Sequence, residues 1–357
     1  MQETFICMRR SWIRIWLLAA VLSAALTGCI PRSRGGASTQ RGLEAMEQGQ
    51  YEEAAADFEK AVDQGEDPVP AWRGLGISYI ALARYDEAAE ALETALSFTD
   101  SKMPETIRDI RQFLMTAQYR SGDYAGAIET GTLLNTEQEC VEADYYLGAS
   151  YLAQNNTAMA RSCFDQAIAL DPNSYLLYLQ IYERYEENKL TAVGDEFLQT
   201  ALSIPAKTQD DKCSIGHIYY HLEKYDEARN AIYEAVEEHY PPAMELMGEI
   251  FLAQGDYNNA LDMYQTVMEQ SGESPEVYNG LALCAIQAEE YDMALNYLEQ
   301  GLAIADKDSR QPLLFNEIVV YERKLEFSTA KLKAEAYVQQ YPTDEAGQKE
   351  LKFLSTR

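Results

Sequence analysis

One small residue returns at a near-constant interval along this chain: Ala54, Ala88, Ala127, Ala160, Gly194, Ala228, Ala260, Ala294 and Ala330. Most steps lie within two residues of 34, and the longer step from Ala88 to Ala127 carries an insertion in the region 99–105. Similar turn strings lead into these positions, among them GQYEEA at 49–54, ARYDEA at 83–88, EKYDEA at 223–228 and EEYDMA at 289–294. Self-similarity at such a period means a stacked array of short units. One unit cannot bury its own apolar face, so the core forms between neighbours.

Each unit reads as two helices joined by that turn. Before it stand strings such as Trp72-x-x-Leu75-Gly76-x-x-Tyr79, Asp144-x-x-Leu147-Gly148-x-x-Tyr151 and Met247-Gly248-x-x-Phe251. After it come Ala54-Phe58-Ala61, Ala160-Phe164-Ala167 and Ala228-Ile232-Ala235. Spacings of three and four put these residues on one helix face. Gly on the first helix and Ala on the second allow close approach of the axes. The unit at about 175–208 departs from the pattern, with Gly194 at the Ala position and Tyr182 at a small one.

This pattern resembles the tetratricopeptide repeat over almost all of residues 38–342, best at 69–102, 141–174, 209–242 and 241–274. The resemblance implies an all-α fold, a right-handed superhelical solenoid of about eight to nine helix-turn-helix repeats over 41–342. A capping helix is expected in 343–357. It also implies a concave groove lined by the first helix of each unit.

The N-terminus reads as an address. Arg9, Arg10 and Arg14 precede an apolar stretch at 15–26, too short to span a bilayer as a mature helix. A basic start, a short apolar core and small residues describe a secretory signal peptide, here 1–28. Leu26, Thr27, Gly28 and Cys29 resemble the lipobox of bacterial lipoproteins. That resemblance implies cleavage before Cys29, acylation of Cys29, and an extracytoplasmic protein held to the cell membrane by lipid. Residues 29–40, which include PRSRGGASTQ, read as a flexible tether. Both Met1 and Met8 are compatible starts, and inner against outer membrane stays open.

Lys and Arg total 29 against 58 Asp and Glu, a formal charge of -29. Such a surface repels phosphate backbones, which disfavours nucleic acid and favours cationic partners. Only 3 His are present, little material for proton transfer near neutral pH. Cys140, Cys163, Cys213 and Cys284 lie far apart with no C-x-x-C pair, so zinc and redox motifs are not indicated and buried thiols are expected. No nucleophile elbow, Walker loop or dinucleotide fingerprint occurs, and neither an enzyme nor a cofactor is expected.

The groove register of the resemblance selects Arg73, Tyr119, Arg120, Tyr145, Glu183, Glu186, Glu187, His217, Tyr220, His221, Glu245 and Glu249. Its middle is acidic and aromatic, suited to a basic or amphipathic segment of an envelope protein. The expected function is a membrane-anchored adaptor of the bacterial cell envelope. The alternative is a glycan or small cationic ligand, with stacking on Tyr145 or Tyr220. His217 and His221 lie one helical turn apart, and a metal would need Glu183 or Glu249 to complete its ligands.

Overall fold

The structure, a computed structural model, describes residues 36–306, 309–341 and 344–357. The signal peptide, the lipobox and Cys29 lie outside the described residues. Nine helix pairs follow in chain order: α1 (Ala37–Glu47) with α2 (Tyr51–Asp63), α3 (Pro68–Ala81) with α4 (Tyr85–Ser97), and α5 (Pro104–Ser121) with α6 (Tyr124–Glu137). Next come α7 (Val141–Ala153) with α8 (Thr157–Leu170), α9 (Tyr175–Glu187) with α10 (Thr191–Ala201), and α11 (Gln209–His221) with α12 (Tyr225–Glu237). Then α13 (Pro241–Gln254) pairs with α14 (Tyr257–Ser271), α15 (Pro275–Gln287) with α16 (Tyr291–Ile304), and α17 (Arg310–Arg323) with α18 (Phe327–Gln340). A last helix, α19 (Glu345–Leu354), packs on α18. There is no strand among the described residues.

The two helices of a pair are buried differently. α15 buries every residue from Val277 to Ile286, whereas α16 buries only Ala294, Leu298 and Gly301. A helix apolar nearly all round must be covered on every side, while one with a single buried stripe faces solvent. First helices therefore form an inner row and second helices an outer one.

Packing between the rows uses one device repeatedly. In five of the nine pairs the residue four places after the recurring small one, Phe58, Leu92, Phe164, Ile232 or Tyr264, is a large side chain seated against glycine of a first helix. A Cβ built on Gly148 would lie 2.6 Å from the Phe164 ring, and one on Gly216 2.5 Å from Ile232. Phe58 is seated against both Gly42 and Gly74, at 2.9 and 2.4 Å. Tyr264 likewise fits between Gly248 and Gly280, at 2.9 and 2.3 Å. The departing unit keeps the volume by exchanging partners. Buried Tyr182 stands where a first helix otherwise has a small residue, and a Cβ on Gly194 would meet its ring at 2.9 Å.

The turn inside each pair is also constant. Five residues before each recurring small residue, the backbone is left-handed: Gly49, Ala83, Gly122, Asn155, Lys189, Glu223, Gly255, Glu289 and Leu325. In all but the third pair the next N–H bonds the carbonyl five residues back, as Arg84 does to Tyr79 (2.8 Å) and Lys224 to Tyr219 (2.9 Å). This is the Schellman ending of a helix, which satisfies orphan carbonyls and reverses the chain. A β-carbon in that region costs about 1–2 kcal/mol. Leu325 bears this cost while 72% exposed, so its side chain returns little burial energy. Leu325→Gly is expected to stabilise the C-terminal pairs by about 0.5–1 kcal/mol, after the larger unfolded-state entropy of glycine. A higher denaturation midpoint in urea is the check.

Residues 37–40, read from composition as part of the tether, are the first turn of α1. The Glu66 carboxylate accepts from the amides of Ser38 (3.0 Å) and Thr39 (2.9 Å) and from the Thr39 hydroxyl (2.6 Å). A carboxylate at a helix N-terminus satisfies orphan donors and the dipole together. Those bonds hold the Glu66 pKa low against the opposing cost of burial.

The chain divides into two compact units between residues 199 and 200. Among the described residues, no helix is long and apolar enough to cross a membrane.

Candidate functional site

Within each unit, successive first helices touch one another as well as the second helices beside them: α3 with α5, α5 with α7 and α7 with α9, then α11 with α13, α13 with α15 and α15 with α17. Polar side chains on this inner row are the candidate binding surface.

In the N-terminal unit the row carries guanidinium groups and tyrosines. Arg73 is buried and grips Asp109 with two nitrogens, Nη2 at 2.9 Å, with its guanidinium over the Phe113 ring. Tyr119 packs on Tyr124 and Tyr146, with ring centroids 5.7 and 5.3 Å apart. Its hydroxyl accepts from Arg184 Nη1 at 3.2 Å. The same guanidinium pairs with Glu187 (2.9 Å) and Glu183 (3.4 Å). Two of the three carboxylates expected to steer a basic partner are thus engaged by an arginine of their own helix. Glu186 accepts from the Tyr182 hydroxyl at 3.2 Å. Arg120, next to Tyr119, is exposed.

Tyr145 was expected to present its face to a ligand. It is 5% exposed, enclosed by Tyr146 and Phe164 at 5.4 and 6.0 Å between centroids. Tyr220, in the C-terminal unit, is 4% exposed and packs edge-on against His221 and Tyr225. A sugar cannot stack on rings so covered, which removes the expected aromatic platform. Tyr145 is covered by rings of its own helix and of α8, and Tyr220 by rings of its own helix and of α12.

In the C-terminal unit the row is acidic. Glu249 and His221 are buried, whereas His217 and Glu245 are half-buried. Burial pushes Glu245 up to about 7, and the neighbouring Glu276 adds to the shift. Glu276 is itself raised, chiefly by burial. Burial also lowers His217 to about 4, so its imidazole is neutral at pH 7. The Tyr264 hydroxyl stands in the field of Glu249 and Glu245, which, with burial, pushes its pKa up. Among the described residues no group of three or more His, Cys, Asp and Glu is arranged to hold a metal ion, so His217 and His221 are not completed as a ligand set.

Arg184, Tyr264 and Glu276 were not among the sequence candidates. Arg184 had a signal in its flanking Glu183 and Glu187, the latter at i+3. Tyr264 and Glu276 had none, since their roles depend on residues of other helices.

A carboxyl whose folded pKa lies above its unfolded value adds stability below the unfolded pKa. That contribution is lost as pH rises through the folded one. Between about pH 4.5 and 7 the C-terminal unit is expected to lose stability through Glu245, and Glu245→Gln to remove that part of the slope. Carboxyl carbon NMR titration checks the pKa, with a midpoint near 4.5 contradicting the placement.

Sequence patterns described as tetratricopeptide repeat match residues 39–104, 145–174, 212–238 and 251–312. Anaphase-promoting complex subunit 3 of Schizosaccharomyces pombe is 23% identical over 258 residues, covering 70% of this chain and 37% of that one. The BBSome complex member BBS4 of Bos taurus is 23% identical over 205 residues, 56% and 40% of the two chains. The chain thus spans less than half the length of these two curated relatives. Among solved structures, a tetratricopeptide repeat protein from Parabacteroides merdae shows 15% identity and a TM-score of 0.46, covering 79% of this chain and 100% of that one. Pseudomonas aeruginosa pilF shows 20% identity and a TM-score of 0.37, covering 61% and 97%. The matched patterns fall on the same period as the left-handed turns and together span about half of the chain, which therefore belongs to the tetratricopeptide-repeat family.

Proposed function

We propose that the protein is an extracytoplasmic adaptor, anchored through a lipid on Cys29, that binds a basic or amphipathic segment of a cell-envelope protein on the inner row of its C-terminal unit. The observation that carries this reading is the pair Glu245 and Glu276. Both carboxyls are half-buried, the charge of Glu276 adds to the raised pKa of Glu245, and neither has an ion-pair partner among the described residues. A Lys or Arg side chain placed there relieves the like-charge repulsion. The overall charge of -29 steers such a segment toward the protein. The lipobox and signal peptide support the location, and binding rather than catalysis is the activity proposed.

The test is a photo-crosslinking residue at Glu245 in cells, alongside the Glu245→Gln/Glu276→Gln protein. One dominant envelope protein is expected as adduct. The double variant is expected to bind it at least about tenfold more weakly, roughly 1.4 kcal/mol, with an unchanged helical circular dichroism spectrum. Undiminished binding by a folded double variant overturns the assignment of this face. Tyr220 is a poor position for either purpose, because a change at a buried ring reports on folding.

A further inference from the structure

The last helix, α19, docks through a stripe that an acidic residue interrupts. Gly347, Glu350, Leu351 and Leu354 stand at spacings of three and four, on one face. A Cβ built on Gly347 would fall 2.4 Å from the Tyr337 ring of α18. Leu354 is buried, and it and Leu351 pack in one apolar cluster with Phe315, Ile318 and Val319 of α17. The α17 stripe runs on from those three residues to Glu322, by the same spacing. Each helix therefore brings one glutamate to a shared apolar seam, where the Glu322 and Glu350 side chains hydrogen-bond each other.

Two carboxylates have no hydrogen to donate, so this bond requires a proton between them. Both residues are half-buried, and Oε1 of Glu350 is buried with no donor among the described residues. No ion pair reaches either glutamate among the described residues. Arg323 of α17 and Arg357 beyond α19 act on Glu322 through their fields, and the Arg357 guanidinium lies over the rings of Phe353 (4.7 Å) and Phe327 (5.4 Å). The other charged groups around the seam are engaged or turned outward. Lys324 is held by Asp292 of α16 (2.7 Å), and Lys333 of α18 by Glu317 (2.7 Å). Asp344 accepts from the Tyr337 hydroxyl at 2.6 Å, and Lys349 and Lys352 are exposed. Burial, the bond to Glu350 and its charge push Glu322 up to about 8, against the two arginines. The proton is shared by the pair.

We propose that α19 is a proton-operated latch: one proton shared by Glu322 and Glu350 holds it on the end of the array, and loss of that proton loosens it. The two carboxylates left behind repel each other in an apolar seam. A carboxyl raised in the folded state adds stability below its ordinary value of 4.5, and that stability is lost as pH rises through about 8. Docking is therefore tightest in mild acid. A repeat array needs a terminal cap to keep its last apolar layer from water, so the latch sets how well that layer is covered. The inference is independent of the adaptor reading.

The test follows 13C-labelled leucine methyls of the full chain by NMR between about pH 5 and 9. Leu354, assigned by its loss in Leu354→Met, reports docking, and buried Leu298 of α16 reports the rest of the unit. The Leu354 methyls are expected to hold a docked shift in acid and to move toward the unstructured-chain value as pH rises. The docked-to-free ratio is expected to fall at least about tenfold, the equivalent of one pKa unit, while Leu298 stays in place. In Glu350→Gln and in Glu322→Gln an amide donates to the remaining carboxylate without a titrating proton. Both variants are expected to keep α19 docked throughout, without the slope. Glu245→Gln is expected to retain the slope, which separates the latch from the pH response at Glu245. A Leu354 shift constant over the whole range in the unaltered chain overturns the latch. A slope retained in both Gln variants, or α19 undocked in both at every pH, overturns the shared proton.

Discussion

Replacing Phe164 by Ala is expected to cost the N-terminal unit about 3–5 kcal/mol, the range for removing a large side chain from a closed core. The ring is fully buried. It is seated against Gly148 and packs on Tyr145, Tyr185 and Phe197, with centroids 6.0, 5.6 and 6.4 Å away. Two of its neighbours, Tyr185 and Phe197, stack on each other, which limits how far they close over the gap. In a repeat array, stability is a sum of unit and interface contributions. The loss therefore appears as an early unfolding of α7 to α9. Hydrogen exchange resolved by residue, together with urea melts, checks this. Unchanged protection in α7 and α9 shows that Phe164 does not hold the interface. Phe164→Leu, which keeps most of the volume, is expected to cost far less.

Gly280→Ala tests the same device from the opposite side. In a helix interior Ala is favoured over Gly by about 1 kcal/mol. Here the new methyl falls 2.3 to 2.6 Å from the Tyr264 ring, and that ring is blocked on its far side by Gly248. Overpacking of this kind costs about 1–3 kcal/mol, sometimes more. The helix gain offsets part of it, so a net loss of roughly 1–2 kcal/mol in the C-terminal unit is expected. The paired change Gly280→Ala/Tyr264→Leu is expected to recover much of it, since the shorter side chain vacates the space. A stabilised Gly280→Ala protein contradicts close contact between α14 and α15.

The unit at α9 and α10 shows how far a repeat tolerates exchange. Tyr182 and Gly194 read as degeneracy in the sequence, yet they conserve the summed volume between the helices by swapping which one is large. Volume-conserving exchanges of this sort are those that cores accept best.

Much of the architecture follows from one periodicity. Apolar residues at spacings of three and four, with a small residue every 34, already require paired helices stacked in a row, because no other arrangement buries all of those faces. The first helices were identifiable on the same ground, and of the residues expected to line a groove Tyr119, Arg120, Glu186, Glu187, His217 and Glu245 lie on them and are not buried. Burial on those helices was not legible. Tyr145, Tyr220, His221 and Glu249 share the groove register, and their burial is decided by the packing around them rather than by that register. The turns were equally hidden: three of the nine left-handed residues are glycine, and Ala83, Lys189 and Leu325 carry no local preference for that backbone. The start of α1 has the same origin. Residues 37–40 look flexible alone and become helical where Glu66, far along the chain, supplies the cap. Periodic burial is a property of neighbours in sequence, so the sequence by itself determined the repeat. Caps, covered rings and charge pairs join residues of different helices, so only the tertiary structure decided them.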